Sequence, residues 1–293
     1  MRSYAIAHLS GARRSMRDFT VGNIITRRAL LAAAAATLPL AIPLATAQSA
    51  RPADGFDPAK VKALTFDIQG TTVDYYQPLL RMGEAVNRQK GLSLDWGKIS
   101  SEWRDRYHDV IDAILAGKRP WMPTEQVYRQ GLDVLLEQHG IADKFSEAER
   151  ADMAAVWGRM VPWPDSVEGV GRLKRRYTVA TLSNAGMATV LAIVKNGGIP
   201  FDTVLTGELA HSFKPSPSVY QLGVDYLGFR PDQIMMVACH KYDLKAAKAF
   251  GFWTAFLPRP LEYGPGVQIS TSPEEFIDVM AADLVDLAAR MGT

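Results

Sequence analysis

Reactive polar residues follow apolar segments at several places in this 293-residue chain. Asp67 comes directly after the short apolar run 61–66, and Gly70 follows it, which is typical of a buried strand that ends in a turn. A carboxylate at that position is suited to nucleophilic or acid–base chemistry. An Asp there also commonly caps the following helix. This segment alone leaves both interpretations open.

Three further groups of polar residues lie where other predicted strands end or helices begin. Parallel strands share one direction, so residues at their carboxyl ends meet at the same edge of the sheet. We therefore favour a shared site over a set of independent helix caps. The groups are Ser183 with Asn184, Lys214 just before Pro215, and a segment after the apolar run 234–238 that contains Cys239, His240, Tyr242 and Asp243.

The elements that would position these residues alternate between strand and helix from Pro164 onward. Such alternation predicts an α/β fold with a doubly wound parallel sheet, built from residues 61–78 and 163–293. A closing helix is predicted to use Phe276, Val279, Leu284 and Leu287. The predicted strands after the first are 177–182, 201–205, 234–238 and 252–257.

Residues 79–162 have apolar side chains at helical spacing without strand-like alternation. This pattern predicts a helical cap, inserted into the α/β core after its first strand. The last cap helix is predicted to contain Met153, Val156, Trp157 and Met160.

The N-terminal residues 1–47 have the composition of an export signal. Arg27 and Arg28 precede an Ala/Leu-rich run, and the small residues 45–47 are typical of a cleavage site. A twin-arginine signal is read by an export receptor, so we expect the twin-arginine machinery as a partner and a periplasmic location. An uncleaved membrane anchor is the less favoured alternative, because the run is short and contains prolines.

The net charge changes sign once this segment is set aside. It holds six Arg and one Asp, so 27 basic and 30 acidic side chains remain, a net charge of −3. No basic patch is left to favour a nucleic-acid partner, and no later stretch is long and apolar enough for a membrane span. Cys239 is the single cysteine, so neither an internal disulfide nor a cysteine-rich zinc motif is expected.

Taken together, four motifs resemble the haloacid dehalogenase superfamily. They are FDIQGT (66–71), TLSN (181–184), FKP (213–215) and VACHKYD (237–243). The segments LKRRYTVATLSN, FKPSPSVY and PRPLEYGP further resemble its type II 2-haloacid dehalogenase branch. The resemblance covers residues 61–290 and implies a Rossmann-like core with a cap.

The resemblance implies roles for several of these residues. Asp67 would be the nucleophile, and the Lys214 ammonium would favour its charged form. Thr71 and Ser183 would hold the carboxylate by hydroxyl hydrogen bonds, or else serve only the turn and the helix cap. Arg104, on a cap helix, would receive the halide and face the substrate carboxylate, whereas an exposed surface Arg is the alternative.

The remaining site residues keep two interpretations each. Asn184 would donate to the substrate carboxylate or cap a helix. His240 would donate to Asp67 or the halide, help activate water, or be a satisfied buried histidine. Tyr242 is expected to line the pocket, and Asp243 to orient Lys214 or the water. Tyr220 would support the site through its hydroxyl or belong to the core.

Two departures from the phosphatases of this superfamily favour dehalogenation. Phosphatases have an acidic Asp two residues after the nucleophile, where this chain has Gln69, which does not transfer a proton at neutral pH. Cys239 replaces a carboxylate that helps to hold Mg²⁺, and Mg²⁺ prefers hard oxygen ligands. Many dehalogenases have an aromatic residue at the position of Gln69, so the amide leaves substrate preference open.

We therefore predict a hydrolytic dehalogenase of short 2-haloalkanoic acids that works through an aspartyl ester, inverts the 2-carbon and needs neither metal nor organic cofactor. A phosphatase of small phosphate esters and a non-catalytic carboxylate-binding protein are the alternatives. Family members are often dimers, so a homodimer stays open.

Overall fold

The computed structural model describes residues 55–293. The predicted export signal (1–47) lies outside the described residues. Among the helices of residues 55–293, none has the length and apolar character needed to cross a membrane.

A five-stranded parallel sheet forms the centre of the described chain. Its strand order is β4–β1–β5–β6–β7, which places β1 between β4 and β5. The non-consecutive order shows that the chain crosses over the sheet between strands, as expected for a doubly wound fold. The strands are β1 (Ala63–Phe66), β4 (Thr178–Thr181), β5 (Ile234–Ala238), β6 (Trp253–Phe256) and β7 (Val279–Met280).

Alternate residues of the central strands supply two hydrophobic clusters. Leu64 and Phe66 of β1 belong to one cluster and Ala63 belongs to the other. Because successive side chains of a strand point to opposite faces, the two clusters lie on the two faces of the sheet. Burial on both faces explains why these strands are continuous apolar runs in the sequence.

Five helices connect or follow the core strands. Three of them end at glycines with positive φ, where the chain reverses towards the next strand. The helices are α5 (Ser166–Leu173), α6 (Met187–Gly197), α7 (Pro217–Leu227), α8 (Lys241–Phe250) and α9 (Leu284–Arg290).

The segment predicted as a cap (79–162) is helical, as its spacing predicts. A two-stranded antiparallel pair, β2 (Val73–Asp74) with β3 (Val161–Pro162), joins the two points where the chain leaves and re-enters the core. The cap helices are α1 (Tyr76–Lys90), α2 (Trp96–Leu115), α3 (Thr124–Gln138) and α4 (Glu147–Ala154). The first of them begins at Tyr76, three residues before the predicted boundary.

Three predicted elements are wrong. Val279 does not belong to a closing helix but pairs with Ala255 as the edge strand β7, and α9 starts only after Asp283, whose side chain caps it. The predicted strand 201–205 makes single bridges to the sheet at Thr203 and beyond, not a continuous ladder. The last cap helix ends at Ala154, and a short 3₁₀ turn follows. Apolar spacing alone does not separate these alternatives over such short segments.

Candidate active site

Asp67 lies directly after β1, at the carboxyl edge of the sheet. Its backbone N–H donates to the carbonyl of Val237 at 3.0 Å, which fixes the residue against β5. The hydroxyl of Thr71 donates to Oδ2 of Asp67 at 2.8 Å and accepts the N–H of Cys239 at 3.0 Å. Thr71 therefore orients the carboxylate, as predicted, and also ties the β1 turn to the end of β5.

Lys214 reaches the same carboxylate from the other side. Its ammonium donates to Oδ1 of Asp67 at 2.8 Å and to Oδ2 of Asp243 at 2.5 Å. Lys214 is only 2% exposed, so these contacts are largely shielded from water. Burial opposes its charge, but the two carboxylates outweigh burial and raise the pKa of Lys214 above its ordinary value.

Asn184 holds the backbone of Lys214. Its Oδ1 accepts the N–H of Lys214 at 2.7 Å, and its Nδ2 lies 3.4 Å from the carbonyl oxygen of the same residue. The helix-cap interpretation of Asn184 is wrong, because Gly186 is the N-cap of α6 and that cap receives no side-chain hydrogen bond. Asn184 still borders the cavity beside Asp67, so its predicted contact with the substrate remains a prediction.

Asp243 is fully buried at the start of α8. Tyr220 donates its hydroxyl to Oδ1 of Asp243 at 2.8 Å, while Lys214 occupies Oδ2. Burial raises the pKa of Asp243, as does the nearby Asp67, although Lys214 opposes both. Asp243 therefore orients Lys214, and Tyr220 supports the site through its hydroxyl.

His240 lies between two carboxylates. Its Nδ1 is 3.1 Å from Oδ2 of Asp67, and its Nε2 is 2.7 Å from Oε1 of Glu262. Burial opposes a charged imidazole, but Cys239, Glu262 and Asp67 together outweigh burial and place the pKa of His240 well above its ordinary value. The imidazole is therefore a double donor, which supports the predicted donation to Asp67 and disfavours its use as a base.

Asp67 receives the combined effect of these neighbours. Burial alone would raise the pKa of Asp67, but Lys214 and His240 outweigh burial and hold that pKa below its usual range. The carboxylate is thus ionised at neutral pH, which is the form that a nucleophile requires.

The turn after Asp67 leaves space for the Glu262 carboxylate beside the site. Gly70 has a φ of 89°, and a Cβ at this position would lie 2.3 Å from Oε1 of Glu262. Only glycine both adopts this backbone conformation readily and leaves space for the carboxylate. Glu262 is 2% exposed, and the neighbouring His240 lowers its pKa against the effect of burial.

Cys239 directly follows β5 and lies beside these charged groups. Its thiol lies 3.4 Å from Oε2 of Glu262 and 3.6 Å from Nε2 of His240. Burial and the carboxylate of Glu262 raise the pKa of Cys239 to about 11, so the thiol is neutral at pH 7.

The donor atoms of Asp67, Cys239 and His240 lie within 4.8 Å of one another. They do not fit Mg²⁺, because that ion prefers oxygen ligands and the set contains a thiol. The imidazole is already bound by two carboxylates, and Lys214 neutralises Asp67. We therefore assign no metal to these residues.

Arg104, on α2, is buried above the site, so the surface-Arg alternative is wrong. Its guanidinium carbon lies 4.8 Å from the ring centre of Tyr75 and 5.9 Å from that of Tyr107, and a terminal nitrogen is 3.8 Å from Glu262. Such cation–π contacts hold the cation without using its N–H groups. Within residues 55–293, the Nε of Arg104 has no hydrogen-bond partner.

Gln69 points towards the cap. Its Oε1 accepts the hydroxyl of Tyr128 at 2.6 Å, and Tyr128 is stacked between Tyr107 and Trp157. The amide Nε2 is buried and has no partner among the described residues. Gln69 is therefore a fixed donor rather than a proton-transfer group.

Ser183 and Tyr242 also border the cavity. The Ser183 hydroxyl accepts the N–H of Ala185 at 3.1 Å, which is the predicted turn role, and in the described part of the chain it does not bond to Asp67. The predicted Ser183–Asp67 hydrogen bond is therefore absent from this arrangement. Tyr242 is 44% exposed and lines the pocket as predicted.

The cavity over Asp67 is small. It offers about 20 Å³ to the centre of a water molecule, which is room for about one water. A substrate with several non-hydrogen atoms therefore requires movement of the surrounding side chains or of the cap. The lining residues are Asp67, Gln69, Arg104, Tyr107, His108, Ser183, Asn184, His240 and Tyr242.

A larger cleft of about 530 Å³ lies elsewhere, between α3, α4 and α6. Its walls contain several alanines together with Glu125, Arg129 and Arg159, and none of the strand-end groups described above. Size alone would favour that cleft, but the charged groups that can perform chemistry lie around the small cavity.

Sequence reasoning missed three residues of the site. Glu262 was part of the matched PRPLEYGP segment but received no role, and its contact with His240 spans 22 residues. Tyr107 lies in an apolar helical stripe of the predicted cap and Tyr128 was not singled out, whereas Tyr107 borders the cavity and Tyr128 bonds to Gln69. The position of Tyr107 three residues after Arg104 was an available signal, and Tyr128 had no comparable signal in the sequence.

Several known proteins are similar to this chain. A (S)-2-haloacid dehalogenase of Xanthobacter autotrophicus is 30% identical over 203 residues, which covers 68% of this chain and 76% of that protein. A crystal structure of an L-2-haloacid dehalogenase is 37% identical, with a TM-score of 0.75, and covers 79% of this chain and 98% of the other. A defluorinating L-2-haloacid dehalogenase structure is 33% identical, with a TM-score of 0.78, and covers 84% and 100%.

The family description "haloacid dehalogenase-like hydrolase" matches residues 61–251, which is more than half of the chain. The match contains Asp67, Lys214 and Asp243, the three groups linked by the buried ammonium. The resemblance predicted from the motifs is confirmed: the chain belongs to the haloacid dehalogenase-like hydrolases.

Proposed function

We propose that this protein is a hydrolytic dehalogenase of short 2-haloalkanoic acids that forms an ester on Asp67. The observation that carries the proposal is the state of that carboxylate. It is buried, kept ionised by Lys214 and His240, and followed by Gln69 in place of a proton donor. A halide leaves without protonation, so a site without an acid at that position suits carbon–halogen cleavage better than phosphate-ester cleavage.

In the first step, the Asp67 carboxylate attacks the 2-carbon and displaces the halide. Attack from the side opposite the halogen inverts that carbon, so an (S)-2-haloacid gives an (R)-2-hydroxy acid. Arg104 is suited to receive the halide, because its guanidinium is buried and its Nε is without a partner in the described chain. A cation in a water-poor site stabilises the developing anion strongly.

The substrate carboxylate needs donors on the other side of the cavity. The Nε2 of Gln69 is buried without a partner in residues 55–293, and Asn184 borders the cavity with its second amide hydrogen. The Ser183 hydroxyl also retains its proton for donation, since it acts as an acceptor towards Ala185. These neutral donors add to the positive charge of Arg104.

In the second step, water attacks the ester carbonyl and regenerates Asp67. Lys214 and Asp243 form a buried ion pair beside the ester position and supply the proton path that hydrolysis requires. The site contains three acidic groups, including the reacting carboxylate, and three basic groups. Their charges are matched in number, which favours both steps. The groups are Asp67, Asp243 and Glu262 with Lys214, His240 and Arg104.

The small cavity favours small substrates. Because the space above Asp67 holds about one water, every substrate requires the cavity to widen, and a short acid requires the least widening. Two- and three-carbon haloacids are therefore the first substrates to test. One structural relative is described as defluorinating, so fluoroacetate should be tested together with the chlorinated acids.

The test measures halide release from each enantiomer of 2-chloropropionate, with and without EDTA, alongside phosphate release from a generic ester with Mg²⁺. We expect EDTA-insensitive halide release from one enantiomer and its loss in Asp67→Asn. Asp232→Asn, an exposed aspartate, is the matched control and should keep full activity.

Two other results would contradict the proposal. Mg²⁺-dependent phosphate release without halide release would identify a phosphatase. If neither product forms and a carboxylate ligand raises the melting temperature, the protein is a non-catalytic binding module.

We also propose export through the twin-arginine pathway to the periplasm. The proposal is supported by Arg27-Arg28, the Ala/Leu-rich run and the small residues 45–47 in the sequence. Replacement of both arginines by lysine should retain the protein in the cytoplasm in its longer form, whereas unchanged export would contradict it.

A further inference from the structure

We propose that Glu262 is a positioning residue that holds His240 as a donor to Oδ2 of Asp67, so that Oδ1 attacks the substrate and Oδ2 receives the negative charge during ester hydrolysis. This inference rests on the proposed function and assigns separate tasks to the two carboxylate oxygens. It also gives a specific task to a buried glutamate that the proposed steps use only as part of the charge balance.

His240 must supply two hydrogen-bond donors. Its two ring nitrogens face Asp67 at 3.1 Å and Glu262 at 2.7 Å. Ionised carboxylates only accept hydrogen bonds, so both ring nitrogens must carry a proton. A neutral imidazole has one proton and would leave one of these contacts without a donor. The pair of carboxylates therefore selects the imidazolium.

The two carboxylate oxygens of Asp67 accept different numbers of hydrogen bonds. Oδ2 accepts hydrogen bonds from Thr71 at 2.8 Å and from His240 at 3.1 Å. Oδ1 accepts one hydrogen bond, from Lys214 at 2.8 Å, within the described chain. Each carboxylate oxygen has about two acceptor positions, so Oδ1 keeps a free lone pair and Oδ2 does not. The oxygen with the free lone pair is the one able to attack carbon.

The chemistry balances with this assignment. Oδ1 forms the bond to the 2-carbon as the halide departs with the electron pair of its bond. Water then adds to Cγ of Asp67, and the carbonyl electron pair moves onto Oδ2, where Thr71 and the imidazolium stabilise it. The Cγ–Oδ1 bond breaks, Oδ1 leaves as the product hydroxyl with a proton from Lys214, and the proton of the attacking water restores Lys214 through Asp243.

The surroundings of Glu262 bury its carboxylate and hold it beside His240. The residue is 2% exposed, and Gly70 leaves the space that its carboxylate occupies. Arg104 lies 3.8 Å from the same oxygen that contacts His240. A buried carboxylate is costly unless it is paired, so its position beside the imidazole requires a charged partner.

Groups from several segments set the charge of His240. Cations oppose its protonation, and the two carboxylates favour it. The facing titratable groups are Asp67 after β1, Tyr75 before α1, Arg104 and His108 on α2, Cys239 at the end of β5, Tyr242 on α8, and Glu262 and Tyr263 in the loop after β6, with Lys214 beyond Asp67.

The test compares Glu262→Gln with the unaltered enzyme across pH. Gln keeps the acceptor oxygen but removes the charge, so His240 should lose its proton at lower pH. We expect the alkaline limb of kcat to move down by about one pH unit or more. Above that limb, a burst of about one halide per active site should precede slow turnover, because the ester accumulates. Intact-protein mass spectrometry should detect the ester.

Matched variants separate the shift of the alkaline limb from a general loss of folded structure. Glu274→Gln removes an exposed carboxylate that pairs with Lys241, and its pH profile should match that of the unaltered enzyme. His240→Asn removes the titrating group, so adding Glu262→Gln to it should cause no further shift of the alkaline limb. Glu262→Asp keeps the charge and should recover part of the profile if Glu262→Gln folds poorly.

If the protein does not release halide, a measurement without substrate still tests the role of Glu262. The pKa of His240, followed by NMR of the imidazole, should fall in Glu262→Gln and stay unchanged in Glu274→Gln. An unmoved His240 pKa, or an unmoved alkaline limb without a burst, would overturn the inference while halide release still supports the proposed function. Absence of halide release from the unaltered protein contradicts the proposed function instead.

Discussion

Lys214→Met tests the charge balance of the site through protein stability. The ammonium lies 2.8 Å from Asp67 and 2.5 Å from Asp243, and its side chain is 1% exposed. Removing one partner from a buried ion pair costs about 3–5 kcal/mol. A domain of this size loses about 2–4 °C of melting temperature per kcal/mol, so we expect a fall of about 6–20 °C.

The pH dependence identifies the cause. The pKa of Asp67 is lowered in the folded protein, so its contribution to stability is present above the unfolded pKa of an aspartate and is lost as pH falls. The raised pKa of Lys214 gives a contribution that is present below its unfolded pKa and lost at higher pH. Both contributions are therefore present at neutral pH. In Lys214→Met, one carboxyl can take a proton in acid, so the deficit should shrink as the pH falls from neutral towards the ordinary pKa of an aspartate.

Urea unfolding of both proteins across this pH range measures the deficit. Lys90→Met is the control, because Lys90 and Glu149 form a partly exposed pair whose loss should cost at most about 1 kcal/mol. The double variant Lys214→Met/Asp243→Asn should recover part of the stability by removing one uncompensated charge. A deficit below about 1 kcal/mol, or one that does not change with pH, would refute the electrostatic reasoning.

Three further changes test other parts of the site. Gly70→Ala should reduce halide release and cost more stability than Gly91→Ala, because both glycines have a positive φ but only a Cβ at Gly70 would lie 2.3 Å from a buried carboxylate oxygen. Gly91→Ala should lose about 1–2 kcal/mol to backbone strain alone and keep activity, and equal losses at the two positions would contradict the steric argument. Tyr128→Phe should raise KM more than it lowers kcat, because Gln69 loses its 2.6 Å hydrogen bond; an unchanged KM would contradict this. Cys239 should react slowly with a thiol reagent at pH 7 and quickly after unfolding, since burial raises its pKa to about 11; fast labelling of the native protein would contradict its burial.

The sequence was sufficient to predict the strand-end part of the site. Asp67 and Asp243 follow apolar strands, and such strands in a parallel sheet bring their ends together. The doubly wound sheet is likewise confirmed, because alternating strands and helices leave few other topologies. These predictions depend on local patterns that a single chain contains.

The contacts that the sequence did not predict depend on long loops and on tertiary packing. Glu262 reaches His240 only because the loop after β6 folds back over Gly70, and no local pattern specifies that path. Val279 was assigned to a helix because it lies three residues after Phe276, which is helical spacing, yet pairing with β6 decides its conformation. Tertiary contacts override local preference most easily in such short segments.

The measurement that tests the central claim most directly is one turnover in water labelled with heavy oxygen, followed by mass analysis of the peptide that contains Asp67. An ester on Asp67 is cleaved by attack on its own carbonyl carbon, so the heavy oxygen should enter the Asp67 carboxylate and the first molecule of product should carry ordinary oxygen. Heavy oxygen in that first product, with an unlabelled Asp67, would show direct attack of water on the substrate and would contradict the account.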